Sequence, residues 1–243
     1  MRILKRTSWA LALAACALSL NSCNVDNDDN AATLCSTALV TVYPSSSDGL
    51  TLQLDDSTTI VPSNMKTSPF GDKKVRALVN YTVQSTASGK PYNVYVNWID
   101  SIRTKLPVAS LGSDDEKAYG NDPIEIVRDW VSVAEDGYLT LRIRTLWGGK
   151  AKHVVNLVSG VNKDNVYEFD LRQNAQGDTV GNTGDALIAF DLNSLWTEHP
   201  EKVTIKLNWT SFSGKKSAEF SMKMHTSTIV SDCTELSSLL QVE

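Results

Sequence analysis

Apolar side chains recur at every second position along most of this chain, a spacing that restricts it to pleated strands burying one face. Val75, Ala77, Val79, Tyr81 and Val83 alternate with Arg76, Leu78, Asn80 and Thr82. Val94, Val96 and Trp98 alternate with Tyr95, Asn97 and Ile99, which puts Trp98 on the predicted core face. Further on, Leu139, Leu141 and Ile143 oppose Arg142 and Arg144, while Val203, Ile205, Leu207 and Trp209 oppose Thr204, Lys206 and Asn208. Shorter runs at 38–43, 50–54, 154–158, 166–171, 187–192 and 220–224 extend the set. Ser88-Gly89, Asp136-Gly137, Gly148-Gly149 and Ser213-Gly214 mark turns too tight for crossover helices. Strands joined this way pair antiparallel, so a parallel α/β sheet is excluded and the fold class is all-β.

From residue 108 to 123 the alternation lapses into a polar, turn-rich stretch, read here as a linker. Residues 35–107 have the length of a small closed barrel, and residues 124–243 suit an antiparallel two-sheet sandwich. The Gly-, Asn- and Asp-rich segment from Gln173 to Asp185 reads as a solvated connection.

Residues 1–22 combine the cations Arg2, Lys5 and Arg6 with an apolar run from Trp9 to Leu20, the pattern of an export signal. The run is too short for a permanent bilayer span of about 20 apolar residues. Leu20-Asn21-Ser22-Cys23 resembles the lipobox of bacterial lipoproteins, whose cysteine is acylated and becomes the new N-terminus. Leu13-Ala14-Ala15-Cys16 also fits that pattern, but cutting there shortens the apolar stretch to the bottom of its usual range, so Cys23 is the expected lipidation site. Residues 23–34 form an acidic tether, and its Asp26, Asp28 and Asp29 resemble a surface-export signal as well as a solvated spacer. Removal of the leader leaves Cys35 and Cys233, an even pair expected to form a disulfide in an oxidising compartment, with two free thiols as the alternative.

The chain carries 23 basic and 28 acidic residues. Loss of the three leader cations leaves 20 against 28, a charge of −8 that repels nucleic acid, so no nucleic-acid partner is expected. His153, His199 and His225 stand on separate segments without partner spacing and are read as surface or loop residues. No catalytic motif, metal site or cofactor site is assigned, and the chain is read as non-enzymatic. Asp114, Asp115 and Glu116, the densest acidic cluster, read as a solvated charge run. Of the tryptophans, Trp98 and Trp209 are expected in the core, whereas Trp147 and Trp196 near turns are the candidates for exposure.

The segments Tyr95-Val96-Asn97-Trp98-Ile99-Asp100-Ser101-Ile102-Arg103-Thr104-Lys105, Gly137-Tyr138-Leu139-Thr140-Leu141-Arg142-Ile143 and His153-Val154-Val155-Asn156-Leu157 resemble NigD-like lipoproteins over nearly the whole mature chain. The resemblance implies an N-terminal OB-like β-barrel followed by a C-terminal β-sandwich, anchored on the envelope of anaerobic Gram-negative bacteria. It also carries a bacteriocin-immunity label, and it supplies no catalytic or ligand-binding residues to transfer. The expected protein is therefore a non-catalytic lipoprotein of the outer membrane, held by its N-terminal lipid, that binds a protein or glycan partner. The rival readings are an accessory factor for carbohydrate binding or glycan degradation, and a structural surface subunit, which needs an unpaired edge strand.

Overall fold

The computed structural model describes residues 35–43, 49–55, 58–85, 92–193, 195 and 202–223. Five strands close the first domain: β1 (Cys35–Val42), β2 (Leu52–Gln53), β3 (Thr59–Pro62), β4 (Val75–Ser85) and β5 (Tyr92–Ser101). Their order around the barrel is β1-β2-β3-β5-β4, with β4 returning to β1 and β3 running parallel to β5. Val40, Val42, Leu52, Ile60, Val79, Tyr81, Val94 and Val96 fill the interior. The period-two pattern puts them there, because every second side chain of a pleated strand points inward.

Trp98 departs from that pattern and is 40% exposed. Opposite β5, Asn80 pairs with Trp98 but Tyr81 pairs with Val96, so Asn97 is an extra residue in the ladder. A β-bulge of this kind reverses the phase of the strand beyond it. Val94 and Val96 stay inside, Trp98 turns out, and Ile99 takes the inward position.

The second domain stacks two sheets. The first runs β6 (Arg103–Lys105), β13 (Asn182–Asp191), β10 (Tyr138–Trp147) and β8 (Glu125–Ile126), with β9 (Val133–Glu135) also on β10. The second runs β15 (Gly214–Lys223), β14 (Lys202–Ser211), β12 (Glu168–Asn174), β11 (Val154–Ser159) and β7 (Val108–Ala109). Leu139, Leu141, Ile143, Ile188 and Phe190 meet Leu157, Phe169, Leu171, Ile205, Leu207 and Trp209 between them. Hairpin neighbours are antiparallel as expected, but β6–β13, β7–β11 and β12–β14 are parallel. The β12–β14 parallel pair arises because the chain crosses to the other sheet through β13 between them.

Residues 108–123, expected as a linker, are built into the sandwich. β7 pairs with β11, and a short helix, α1 (Asp115–Tyr119), follows a single 3-10 turn. The polar composition misled because Asp115 works as a local clamp. It is 5% exposed and accepts hydrogen bonds from the Leu111 backbone N–H at 2.6 Å and the Ser110 hydroxyl at 2.7 Å. The chain crosses from barrel to sandwich at Ile102, one residue after β5 ends and one before β6 begins.

Barrel and sandwich share a third apolar cluster, in which Leu39 and Leu78 of the barrel meet Val131 and Ala189 of the sandwich around Ile102. This contact explains why residues 37–42 of β1 are buried on both faces. Beside it, Arg76 is fully buried, donates to Thr41 Oγ1 at 3.0 Å and pairs with Glu135 of β9. Its guanidinium lies 5.6 Å from the Tyr138 ring centre, within cation–π range.

Candidate binding cleft

β6 covers the outer edge of β13 only from Ile188 to Phe190. Upstream of Arg103 the chain turns away into the barrel, held by the Ile102 N–H donating to the Arg76 carbonyl at 2.8 Å. β7 likewise covers β11 only at Val158 and Ser159. Among the described residues no strand pairs with the outer edges of 182–187 in β13 or 154–157 in β11. Between these edges opens a cavity of about 680 Å³, within the usual size range of ligand pockets. Its walls include Ile143, Val155, Leu187 and Ile188, and Trp147, 46% exposed, stands among the residues that line it.

Arg103, Lys105 and Lys152 also line the cavity. Lys105 bridges the two sheets, its ammonium donating to Asn156 Oδ1 at 2.6 Å and to the Val155 carbonyl. Burial pulls its pKa below the ordinary lysine value, and the neighbouring positive charge of Arg103 adds to the effect. The one carboxylate among the described residues of the wall, Asp185, is already engaged. Arg144 Nε donates to it at 2.6 Å and Arg142 Nη2 lies 2.6 Å from it. The Arg144 hydrogen bond holds the Asp185 pKa below the usual carboxylate range, with Arg142 adding to it against the opposing effect of burial. The cavity is thus cationic on an acidic chain.

A polar cluster sits at the turn end. His153, read from sequence as a surface or loop residue, precedes β11, but its side chain is only 10% exposed and lines the cavity. Its Nδ1 lies 3.4 Å from Gln173 Nε2 and 3.5 Å from Thr145 Oγ1, and its Nε2 lies 3.7 Å from Asp178 Oδ2. Thr145, His153 and Asp178 follow the order hydroxyl, imidazole, carboxylate. Their separations nevertheless exceed ordinary hydrogen-bond lengths, and Thr145 Oγ1 already accepts from Gln173 Nε2 at 2.7 Å. This is the geometry of a packed polar cluster. His153 Nε2 and Gln173 Oε1 are buried without a hydrogen-bond partner among the described residues.

The segment from Gln173 to Asp185 is not the solvated connection its composition suggested. Gln173 ends inside β12, residues 182–185 are strand, and between them Asp178 is 1% exposed. Its carboxylate accepts from the backbone N–H groups of Gly148 at 3.1 Å and Lys150 at 3.0 Å, fixing the turn beside Trp147. Burial pushes the Asp178 pKa up, but the backbone donors of Lys150, Ala151 and Gly148 outweigh it and leave the group below its ordinary value. The sequence signal for this clamp was the glycines. A Cβ on Gly148 would strike Asp178 Oδ1 and the Val180 carbonyl, and one on Gly181 would strike the Trp147 carbonyl.

Cys23, Cys233, Trp196, His199 and His225 lie outside the described residues, as does the side chain of Cys35, whose backbone opens β1 opposite Thr82. Asp114 and Glu116 are exposed. No group of three or more His, Cys, Asp or Glu side chains that could hold a metal occurs among the described residues.

Two family descriptions match this architecture domain by domain: the NigD-like N-terminal OB domain over residues 39–102, and the NigD-like C-terminal β-sandwich domain over residues 107–222. The chain belongs to the NigD-like family. A solved Parabacteroides distasonis protein provisionally described as toxin-related shares 29% identity with this NigD-like chain. Its TM-score is 0.65, with 77% of this chain and 93% of that one covered. A NigD-like immunity protein of Bacteroides caccae is 20% identical at a TM-score of 0.54, over 75% of this chain and 90% of its own. A Bacteroides fragilis protein provisionally described as a lipoprotein is 11% identical at a TM-score of 0.53, over 80% and 100%. The last two likenesses show the fold alone. No curated protein matches the chain.

Proposed function

We propose that this NigD-like chain is a non-catalytic, lipid-anchored protein of the bacterial envelope that acts by binding another protein, with bacteriocin immunity as its setting. The carrying observation is the cleft, where two strand edges with no partner among the described residues flank a largely apolar cavity of about 680 Å³. Strand edges of this kind accept extended chains, and the surrounding barrel and sandwich give a rigid frame. Immunity is supported by the description of the Bacteroides caccae structure, and anchoring by Cys23 and the description of the Bacteroides fragilis one.

Deleting the coding region and challenging the cells with bacteriocin-producing neighbours tests this reading. Sensitivity restored to resistance by the wild-type chain, but not by Cys23→Ala, is the expected result. Equal resistance with and without the chain would end it. Mass analysis of the mature N-terminus reports the acyl group. Protease treatment of intact cells separates a surface location, in which the chain is digested, from a periplasm-facing one, in which it is protected.

The glycan reading has one observation in its favour. Tyr95, 47% exposed, and Trp98 face outward on β5 beside a chain of amide and hydroxyl groups. Asn97 Nδ2 donates to Asn80 Oδ1 at 2.8 Å, and Asn80 Nδ2 donates to Thr37 Oγ1 at 2.9 Å. Aromatic rings beside fixed polar groups suit sugar rings. Glycan-array binding lost in Tyr95→Ala and Trp98→Ala would favour that alternative.

A further inference from the structure

We propose that the cleft takes an extended acidic segment of a partner protein, laid along β13 in the line that β6 begins. This rests on the protein-binding reading and adds to it the chemistry of the partner. The cavity is lined by every residue from Gly184 to Ile188. Side chains of a strand alternate between faces, so five successive residues reach one cavity only when the strand presents its backbone edge.

The Leu192 N–H donates to the Gly137 carbonyl at 2.9 Å, and the β10–β13 register runs unbroken from there. Alternation in an antiparallel ladder then turns the N–H and C=O groups of Thr183, Asp185 and Leu187 away from β10 and toward the cleft. β6 shows that this edge accepts a strand, since it already does so at Ile188–Phe190. A guest continuing along 182–187 would cover about 20 Å of edge at roughly 3.3 Å per residue.

The charges choose among guests. Arg103, Lys105 and Lys152 line the cavity, whereas its Asp185 is neutralised by two arginines. Acidic side chains on an incoming strand meet cations with no carboxylate partner among the described residues, and basic ones meet like charge. The acidic side chains would lie on the inter-sheet face with Arg103 and Lys105, and the alternate apolar ones on the opposite face beside Leu187, which packs on the cluster shared with the barrel. In the wall, Gln173 Oε1 is a buried acceptor with no donor among the described residues, an arrangement that a guest N–H relieves.

The test uses the ¹⁵N-labelled full chain and two pools of short, end-capped peptides, one alternating Val or Ile with Asp or Glu, the other alternating the same apolar residues with Lys or Arg. The acidic pool is expected to shift the amide signals of Thr183, Asp185 and Leu187 and to slow their hydrogen exchange. N-methylation of the peptide positions that face β13 should weaken binding about tenfold or more, and the basic pool should bind at least as much more weakly. Arg103→Glu with Lys152→Glu should reverse the preference between pools while leaving the folded spectrum intact. Absence of acidic-pool binding, or indifference to N-methylation, overturns the proposal. So does protection of the three amides before peptide is added, which would assign the edge to a segment of this chain, or to a second copy if the protection depends on concentration. None of these results touches bacteriocin protection in cells, which the protein-binding reading answers to separately.

Discussion

The guanidinium of Arg76, on β4 of the barrel, is completely buried and pairs with the carboxylate of Glu135 on β9 of the sandwich. The pair bolts one domain to the other next to the shared apolar cluster around Ile102. Removing one partner of a buried ion pair strands the other charge, at a cost of about 3–5 kcal/mol. Glu135→Ala should therefore destabilise the protein more than Arg76→Met, which removes the buried charge itself. Urea unfolding followed by two domain-specific probes checks this. Wild type should unfold in one transition and Glu135→Ala in two, because the barrel loses its hold on the sandwich.

At the same junction the phenols of Tyr43 and Tyr138 are pushed well above the ordinary tyrosine value of 10.0. Burial is the largest cause for both. The charge and hydrogen bond of Asp136 follow for Tyr43, and the charges of Asp191 and Asp136 follow for Tyr138. A raised folded pKa means that the native state keeps protons the unfolded chain gives up. Stability from these groups is intact below about pH 10 and falls as pH rises through it. Unfolding midpoints should drop steeply above that pH, with the tyrosinate absorbance of Tyr43 and Tyr138, read as the difference from the Tyr43→Phe, Tyr138→Phe variant, appearing only on unfolding. Tyr138→Phe should flatten the drop at no cost near neutrality, since the Tyr138 hydroxyl finds no hydrogen-bond partner among the described residues.

The sequence displayed the strands and the two-domain plan because period-two burial is a local property, written in neighbours such as Val75, Ala77 and Val79. What it concealed depends on contacts between distant segments. Asn182-Thr183-Gly184-Asp185 reads as loop, yet it is strand because β10 lies beside it. Arg76 and Asp178 look like surface residues until Glu135 and the 148–151 turn close over them. The cleft was illegible for the same reason: it exists where β6 fails to cover β13, an absence of pairing that no single segment encodes.

Trp98 and Trp209 provide a direct check on the bulge at Asn97. Their sequence patterns match, but one is 40% exposed and the other 6%. Trp209→Ala should cost about 3–5 kcal/mol through the cavity it leaves, whereas Trp98→Ala should stay within about 0.5 kcal/mol. Deleting Asn97 should therefore leave a regular ladder in which Trp98 still faces out between Val96 and Ile99, so its fluorescence in a variant lacking the other tryptophans should stay red-shifted, whereas a blue shift would count against the bulge.

Cys35 and Cys233 are expected to be joined in the exported protein, closing nearly the whole folded chain into one loop worth up to about 5 kcal/mol. Thiol titration of the unreduced protein should find neither residue reactive, and Cys233→Ser should lower the unfolding midpoint to that of the reduced wild type. Two reactive thiols in protein from the oxidising compartment would refute the pairing.

Acid should open the turn beside the cleft before it unfolds the core. Asp178 has a folded pKa below its ordinary 3.8, so its contribution is complete above that value and is lost as pH falls through the lower folded one. In wild type, exchange at the Gly148 and Lys150 amides should therefore speed up below about pH 4 relative to amides in β10. Asp178→Ala should show that fast exchange at neutral pH, with no further acid dependence from this site. Gly148→Ala reaches the same open turn by a different route, because its methyl group occupies the position of Asp178 Oδ1 and the Val180 carbonyl, and overpacking of this kind costs about 1–3 kcal/mol. If both variants keep slow exchange at 148 and 150, the carboxylate is not what holds the turn that carries Trp147 at the cleft.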